Sequence, residues 1–257
     1  MKIKLGVIWA ALLLAAGVAG AASKPEAGPQ RIGHRGTRAL VDENTMESFQ
    51  RAAEIGVDMI EFDIQRTRDG VFVIMHDDTV DRTTDGKGRV DQMTLEEFKL
   101  LKTRSGYTPP TLDETLVWLA ANSLGFILDF KVPDPNFARD LVKVIEDRNL
   151  IPRAVFESML PEVAGEVEKI KPEAITAIYP ENQLGMVFLA DKYHIDQVSY
   201  NWHLATPGQV CLAKARHHQV LVWTVNSRGL IRWFSLLKVH GIMTDDPNLF
   251  QEKKKSK

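Results

Sequence analysis

The sequence predicts an α/β fold, and within that class a (β/α)8 TIM barrel. Short apolar or β-branched runs alternate with segments that carry helix-start signals, as expected for parallel strands joined by crossover helices. One pair of runs lies too close together for a crossover and must form an antiparallel hairpin. Without the returning arm of that hairpin, eight parallel strands remain, which is the number that closes a barrel. The nine runs are residues 31–34, 59–65, 72–76, 126–131, 154–157, 174–179, 197–200, 220–225 and 241–244.

The second and third runs form the hairpin. Six residues separate them, whereas a parallel crossover needs roughly a dozen or more. Asp69-Gly70 is a strong two-residue turn signal, and a turn centred on it places Asp63 opposite His76. The alternative to a barrel is a doubly wound open sheet. It is disfavoured because neither G-x-G-x-x-G nor a P-loop follows the first strand.

Capping residues mark where several helices begin. A Ser, Thr or Asn followed three residues later by Glu is a capping box, and Asp or Thr before Pro gives an N-cap with Pro at the first helical position. Gly56 is placed to end the first helix. Residues 77–108 are polar and rich in turns, and they predict a small insertion at the C-terminal face of the barrel that covers a pocket. The start signals are Asn44/Glu47, Thr94/Glu97, Thr111/Glu114, Asp134-Pro135 and Thr206-Pro207.

The first 22 residues differ from the rest of the chain. Lys2 and Lys4 precede an uncharged apolar run at residues 5–18, and small residues follow it. This pattern is typical of a secretory signal peptide. We therefore expect a signal at residues 1–22, a barrel domain at residues 23–257, and a periplasmic or secreted protein. An uncleaved membrane anchor is the alternative, because the run approaches the length that spans a bilayer.

Composition and charge exclude some partners. The net charge is −2 and no basic stripe is present, so nucleic acid has little support as a partner. Membrane contact is expected only through a lipid substrate or an uncleaved signal. The single cysteine, Cys211, excludes an intramolecular disulfide, and its apolar neighbours predict a buried position in a helix.

Candidate catalytic residues gather at predicted strand ends. Glu61 and Asp63 are two residues apart and so point to the same side of their strand. His34 ends the first strand, and the hairpin brings His76 beside Asp63. The C-terminal ends of barrel strands carry catalytic groups. Two carboxylates converging there without a local lysine are costly unless a cation lies between them.

A third strand adds two more side chains. Asp129 supplies another carboxylate and Lys131 a positive charge, while Arg35 offers a fork that fits a phosphate. Ligands that are all oxygen favour Ca²⁺ or Mg²⁺ over zinc. Each residue alone has an ordinary structural explanation, and only their joint placement indicates a phosphoester site. Trp223 fits a pocket wall or the core equally well. The other histidines are expected to be structural or at the surface (His194, His203, His217, His218 and His240).

These motifs resemble those of the glycerophosphodiester phosphodiesterase family over nearly the whole of residues 23–257. The resemblance rests on the order and spacing of Gly33-His34-Arg35-Gly36, Glu43-Asn44-Thr45, Glu61-Phe62-Asp63, Asp69-Gly70, His76-Asp77, Arg82-Thr83-Thr84-Asp85-Gly86, Pro110-Thr111-Leu112, Asp129-Phe130-Lys131, Trp223-Thr224-Val225-Asn226 and Thr244-Asp245-Asp246-Pro247.

The resemblance implies roles for these residues. His34 and His76 would be the general acid/base pair. Glu61, Asp63 and Asp129 would bind one divalent cation, and Arg35 and Lys131 would contact the phosphate. The third metal ligand in the family is most often glutamate, so Asp129 is a departure.

The implied reaction is the hydrolysis of glycerophosphodiesters such as glycerophosphocholine to sn-glycerol 3-phosphate and an alcohol. One alternative is a lysophospholipase D-like enzyme, which would need an exposed apolar rim on the insertion (Phe98, Leu100, Leu101 and Tyr107). The second alternative is a barrel that binds glycerophosphodiesters without turnover. The intact histidines and carboxylates count against it.

Overall fold

The computed structural model describes residues 28–251. Eight parallel strands close into a barrel because the first, Gln30–Gly33 (β1), pairs with both Met59–Arg66 (β2) and Gly241–Thr244 (β9). Phe72–Ile74 (β3) adds to the sheet as the antiparallel partner of β2. The predicted (β/α)8 barrel is confirmed, and all nine predicted strands are present, with ends that differ from the prediction by at most two residues. The strands are β1 (Gln30–Gly33), β2 (Met59–Arg66), β3 (Phe72–Ile74), β4 (Gly125–Phe130), β5 (Ala154–Ser158), β6 (Ile175–Ile178), β7 (Gln197–Asn201), β8 (Gln219–Trp223) and β9 (Gly241–Thr244).

The helices lie between the strands and cover the outside of the barrel. The α-helices are α1 (Met46–Ile55), α2 (Leu95–Leu100), α3 (Leu112–Ala120), α4 (Pro135–Glu146), α5 (Pro161–Ile170), α6 (Met186–Tyr193), α7 (Pro207–Ala215) and α8 (Arg228–Leu236), and 3-10 turns span Val90–Gln92, Ile151–Arg153 and Pro247–Phe250. Within residues 28–251, none of these helices has the length and apolar character to cross a membrane. The predicted signal peptide, residues 1–22, lies outside the described residues.

Most capping predictions are confirmed. Both threonine boxes form in full, and Asp134 and Thr206 cap their helices ahead of a proline. The predicted capping box at Asn44 is wrong. Thr45 caps α1 instead, and its hydroxyl accepts from the Ser48 N–H at 3.1 Å. Asn44 has a φ of 57°, and its side-chain amide donates to Asp63.

One other helix position differs from expectation. Cys211 lies on α7 as predicted, but its side chain is exposed rather than buried. Apolar neighbours in the sequence did not settle the matter because adjacent residues on a helix point about 100° apart, so only some of them reach the core.

The hairpin forms, but its predicted register is wrong by one residue. Ile64 pairs with Ile74 and Arg66 with Phe72, so the loop has three residues between Thr67 and Val71. Gly70 takes a φ of +86°, the left-handed position that three-residue hairpin loops favour. Asp63 is therefore opposite Met75, whose N–H donates to the Asp63 carbonyl at 3.1 Å. His76 follows the end of the pairing.

Alternation along the strands divides the core into layers. On β2, Ile60, Phe62 and Ile64 pack outward against the helices, while Met59 faces the barrel axis. An apolar layer fills the lower barrel interior, made of Ile32, Met59, Ile127, Val155, Ala177, Leu221 and Met243. The next inward-facing positions towards the C-terminal face are polar, and they form the site.

Residues 77–108 form the insertion after the hairpin. The segment has its own buried cluster, which includes Val80, Val90, Phe98 and Leu101. One link to the loop before α1 is Asp42, whose carboxylate accepts from the Ser105 N–H at 2.8 Å. The insertion is therefore packed and anchored beside the mouth of the barrel.

Candidate active site

Strand register places carboxylates side by side at the C-terminal face. Asp63 on β2 pairs with Asp129 on β4, and Asp129 pairs with Glu157 on β5. Glu61 lies two residues before Asp63 on the same inward side. All four side chains are buried. Glu61, Asp63 and Asp129 each offer one oxygen, and these atoms lie within 4.8 Å of one another. The three predicted metal ligands are thus brought together.

Two cations lie against this group. The Lys131 ammonium is 2.9 Å from Asp63 Oδ1 and 2.6 Å from Asp129 Oδ2. The guanidinium of Arg35 is 3.2 Å from Asp63 Oδ2, and the backbone N–H of Arg35 donates to Glu61 Oε2 at 2.8 Å. A lysine partner for Asp63 was not predicted. Lys131 reaches Asp63 because it directly follows β4, the strand that pairs with β2.

The charges within this group are unbalanced. Burial, reinforced by the charge of Asp63, raises the pKa of Glu61 well above its usual value. Burial also raises the pKa of Asp129, despite the opposing effect of Lys131. For Asp63, the charges of Lys131 and Arg35 outweigh burial and hold the pKa far below its usual value. Lys131 and Arg35 thus outweigh the effect of burial at Asp63, but not at Glu61 or Asp129.

His34 extends from the end of β1 into the site. Its Nδ1 is 2.6 Å from Asp245 Oδ1, and its Nε2 is 3.9 Å from Glu61 Oε2. Asn226 supports this arrangement, since its amide donates to Asp245 Oδ2 at 2.7 Å. Burial lowers the pKa of His34, partly offset by the bond to Asp245 and reinforced by Arg35. Its imidazole is therefore neutral at pH 7.

His76 has a matching arrangement on the other side of the group. Its Nδ1 is 2.5 Å from Asp77 Oδ1, and its Nε2 is 4.0 Å from Asp63 Oδ1. The predicted proximity of His76 to Asp63 is thus present although the hairpin register differs. A carboxylate at Nδ1 fixes the ring and leaves Nε2 to exchange protons with a substrate.

Several residues of the site were missed by sequence reasoning. The Asn44 amide donates to Asp63 Oδ2 at 2.8 Å, and the Tyr179 hydroxyl donates to both oxygens of Asp129 at 2.5 and 2.7 Å. Glu157 Oε1 has no hydrogen-bond partner among the described residues. Glu157 lies two residues after the inward-facing Val155, and Tyr179 lies two residues after the inward-facing Ala177. This alternation was the available signal.

A cavity of about 90 Å³ opens over this group, lined by both histidines, Arg35, Lys131 and Trp223 among others. The Trp223 indole N–H donates to the Ser199 carbonyl at 3.2 Å, and its ring meets Tyr179 edge to face at 5.6 Å. Seven of the eight predicted site residues therefore line one cavity, and the eighth, Asp63, contacts Lys131 and Arg35 of its wall. Beside it lies a larger cavity of about 530 Å³ whose wall includes Glu43, Arg82 and Arg104.

The donor set fits a hard divalent cation. Three buried carboxylate oxygens within 4.8 Å of one another match the oxygen ligands that Ca²⁺ and Mg²⁺ prefer. Burial raises the pKa of both Glu61 and Asp129, and a bound cation would favour the charged form of these carboxylates.

Barrel enzymes place their chemistry at this face. The site combines three features that suit the hydrolysis of a phosphoric ester. They are imidazoles oriented for proton exchange, cationic side chains that can bind an anion, and carboxylates that can bind a cation. The fold and the site thus define a barrel hydrolase of this class.

Comparison with known proteins specifies the class further. Residues 34–249 match the model of the glycerophosphoryl diester phosphodiesterase family, and the chain belongs to this family of phosphoric diester hydrolases. A glycerophosphodiester phosphodiesterase of Caldanaerobacter subterraneus is 32% identical over 235 residues, which cover 84% of this chain and 93% of the relative. One from Bacillus subtilis is 28% identical over 254 residues, covering 87% of this chain and 86% of the relative.

Solved structures share the fold. A glycerophosphodiester phosphodiesterase from Agrobacterium tumefaciens has a TM-score of 0.77 at 24% identity, covering 86% of this chain and 98% of that one. An Oleispira antarctica phosphodiesterase, solved in complex with the product sn-glycerol-3-phosphate, has a TM-score of 0.76 at 24% identity and covers 86% of this chain and 94% of that one.

Proposed function

We propose that this protein hydrolyses glycerophosphodiesters, such as glycerophosphocholine, to sn-glycerol 3-phosphate and an alcohol, with a divalent cation and a histidine pair. The observation that carries the proposal is the matched placement of the two imidazoles. Each has Nδ1 on an aspartate, and each directs Nε2 at one carboxylate of the metal-binding group, 3.9 Å away for His34 and 4.0 Å for His76. A phosphate over this group lies between two proton carriers.

The histidines have complementary tasks. His34 is neutral at pH 7 because burial lowers its pKa, so its Nε2 can accept a proton from the nucleophile. The nucleophile is water, or the 2-hydroxyl of the glycerol, which would form a cyclic phosphate first. His76 Nε2 then donates a proton to the oxygen of the leaving alcohol. General acid and base catalysis of this kind contributes about 10²- to 10⁴-fold.

The phosphate itself needs positive charge. A divalent cation held by Glu61, Asp63 and Asp129 would neutralise the non-bridging oxygens as negative charge develops. Arg35 and Lys131 flank the same cavity and would contact those oxygens. The Tyr179 hydroxyl, within hydrogen-bond distance of both oxygens of Asp129, would orient that carboxylate.

The choice of a glycerol-containing substrate rests on the relatives. Those named glycerophosphodiester phosphodiesterase match along most of their length, and the Oleispira phosphodiesterase holds sn-glycerol-3-phosphate. We place the glycerol against Trp223, at the apolar side of the cavity, and the departing headgroup towards the larger cavity beside the insertion.

Neither alternative activity gains a specific observation. A lysophospholipase D-like enzyme needs an apolar rim on the insertion, but Phe98 and Leu101 are buried in the insertion core, and Leu100 is the exposed member of the group. A purely binding protein has no need of histidines oriented for proton exchange. We further propose that residues 1–22 direct export and that residues 23–257 are the enzyme domain.

A substrate panel tests the proposal. Purified protein lacking residues 1–22 is incubated with glycerophosphodiesters and lysophospholipids, with EDTA and with Ca²⁺ or Mg²⁺ added back. We expect glycerol 3-phosphate from the glycerophosphodiesters, abolished by EDTA and restored by a cation. Preferred turnover of lysolipids would favour the first alternative, and binding without turnover in the presence of metal would favour the second.

A further inference from the structure

A chain of hydrogen bonds crosses the mouth of the site through Arg82 of the insertion. Its Nε and Nη2 donate to both oxygens of Asp77 at 2.6 and 3.1 Å. Its Nη1 and Nη2 donate to both oxygens of Glu43 at 3.1 and 2.8 Å. Asp77 is the carboxylate on His76 Nδ1, and Glu43 accepts from Arg35 Nη1 at 2.7 Å. One guanidinium thus joins the supports of two functional side chains.

We propose that Arg82 is a positioning residue that sets His76, through Asp77, and Arg35, through Glu43, in one fixed arrangement. Arg82 is two hydrogen bonds away from either functional group and touches neither. The inference rests on the proposed function, because His76 as a proton carrier and Arg35 as a phosphate ligand are roles within that reaction.

Arginine is the side chain suited to this position. Its planar fork presents donors on two edges, so it can grip two carboxylates at once, whereas an ammonium is a point charge without that geometry. The hydrogen bonds from Arg82, the strongest influence, lower the pKa of Asp77 to about 2. Asp77 therefore stays ionised and keeps accepting from His76.

The fold of the insertion brings Arg82 to this place. Val80, two residues earlier, is fully buried in the insertion core. Thr84, two residues later, donates through its N–H and its hydroxyl to the Val80 carbonyl at 3.1 and 2.7 Å. At Gly86 a Cβ would lie 2.2 Å from the Leu101 side chain, so the turn packs closely. The insertion thus does more than cover the pocket: it delivers a side chain to the site.

Arg89 provides a matched control. It lies in the same insertion and is 45% exposed, against 44% for Arg82. It also pairs with two carboxylates, Asp91 at 2.8 Å and Asp78 at 3.5 Å. Neither carboxylate contacts His76 or Arg35 among the described residues. Loss of Arg89 therefore reproduces the loss of a surface ion pair without touching the site.

The experiment compares R82A, R82K and R89A in the full enzyme with glycerophosphocholine and a saturating divalent cation. For R82A we expect kcat/KM to fall by about 10- to 100-fold, as is typical when a supporting hydrogen-bond partner is removed. Both constants should change, kcat through His76 and KM through Arg35. R89A should stay within twofold of wild type. Millimolar guanidinium chloride should restore activity to R82A and not raise that of wild type or R89A.

A double-mutant cycle gives the second readout. D77N should lower kcat, and the loss in R82A/D77N should be smaller than the product of the separate losses because both substitutions disturb the same imidazole. Should R82A fail to fold, R82K carries the test, with an expected loss of at least fivefold.

Any one of three results would overturn the role of Arg82. These are wild-type kinetics in R82A or R82K, failure of guanidinium to restore activity to R82A, and losses in the double-mutant cycle that simply multiply. Inactive wild-type enzyme would instead overturn the proposed function.

Discussion

Glu157→Gln is expected to stabilise the protein at neutral pH and to do little at acid pH. The Glu157 carboxyl is buried beside Asp129, and its Oε1 has no hydrogen-bond partner within residues 28–251. Burial, and then the charge of Asp129, raise its pKa from the ordinary 4.5 to about 8. The amide of glutamine has nearly the same shape and no charge, so the substitution isolates the effect of ionisation.

The direction of the pH dependence follows from the pKa of Glu157 in the unfolded and folded states. Since the folded-state pKa is raised, the contribution of the neutral Glu157 is fully present below pH 4.5 and is lost as the pH rises through about 8. Between these limits, each pH unit lowers the free energy of unfolding by about 1.4 kcal/mol. The loss is on the order of 3 kcal/mol at pH 7 and below about 1 kcal/mol at pH 5.

Differential scanning calorimetry with EDTA measures this difference without an added cation. For a domain of this size about 1 kcal/mol shifts the melting temperature by roughly 2–4 °C, so Glu157→Gln should melt about 6–12 °C higher than wild type at pH 7. Glu162→Gln, the same change at an exposed position on α5, should alter the free energy of unfolding by less than about 0.5 kcal/mol. An equal gain at pH 5 and pH 7, or a lower melting temperature at pH 7, would refute the reasoning.

The remaining predictions concern the reaction. His34→Ala or His76→Ala should lower kcat at least about 100-fold and leave the melting temperature near that of wild type. The control His217→Asn, at the surface, should change neither quantity. Glycerol 3-phosphate release comparable to wild type in either alanine variant would contradict the scheme. Asp129→Asn should weaken activation by the cation at least about tenfold, while Asp129→Glu should retain most of it, and equal titration curves for both variants would remove Asp129 from the ligand set. Trp223→Ala should raise KM with a smaller change in kcat, since Trp223 is placed against the glycerol, and an unchanged KM would return it to core packing.

Much of the architecture could be predicted from local patterns. Alternating apolar runs gave all nine strands, and the short spacing between the second and third runs gave the hairpin. Because inward positions recur every second residue, Glu61 with Asp63 and Asp129 with Lys131 could be placed on the barrel interior before any contact was known.

Other features depend on interactions that the sequence does not display. The hairpin register differs from the prediction because Gly70 adopts a left-handed conformation in a three-residue loop. An Asp-Gly pair suits both two-residue and three-residue loops. Asn44 does not cap α1, because its amide donates instead to the Asp63 carboxylate, nineteen residues away in the chain. A hydrogen bond to a charged acceptor is stronger than one to a neutral group. Alternation along β5 could place Glu157 on the inward side, but its position beside Asp129 depends on the register of β4 with β5, which no local signal specifies.

The central claim is the cleavage of a glycerophosphodiester by this chain, and its products test the claim most directly. Hydrolysis of glycerophosphocholine in ¹⁸O-labelled water with Mg²⁺ or Ca²⁺, followed by ³¹P NMR, identifies which bond breaks and where oxygen enters. The account predicts sn-glycerol 3-phosphate with one ¹⁸O on phosphorus, and no turnover with EDTA. Phosphocholine with free glycerol, or turnover that persists in EDTA, would contradict it.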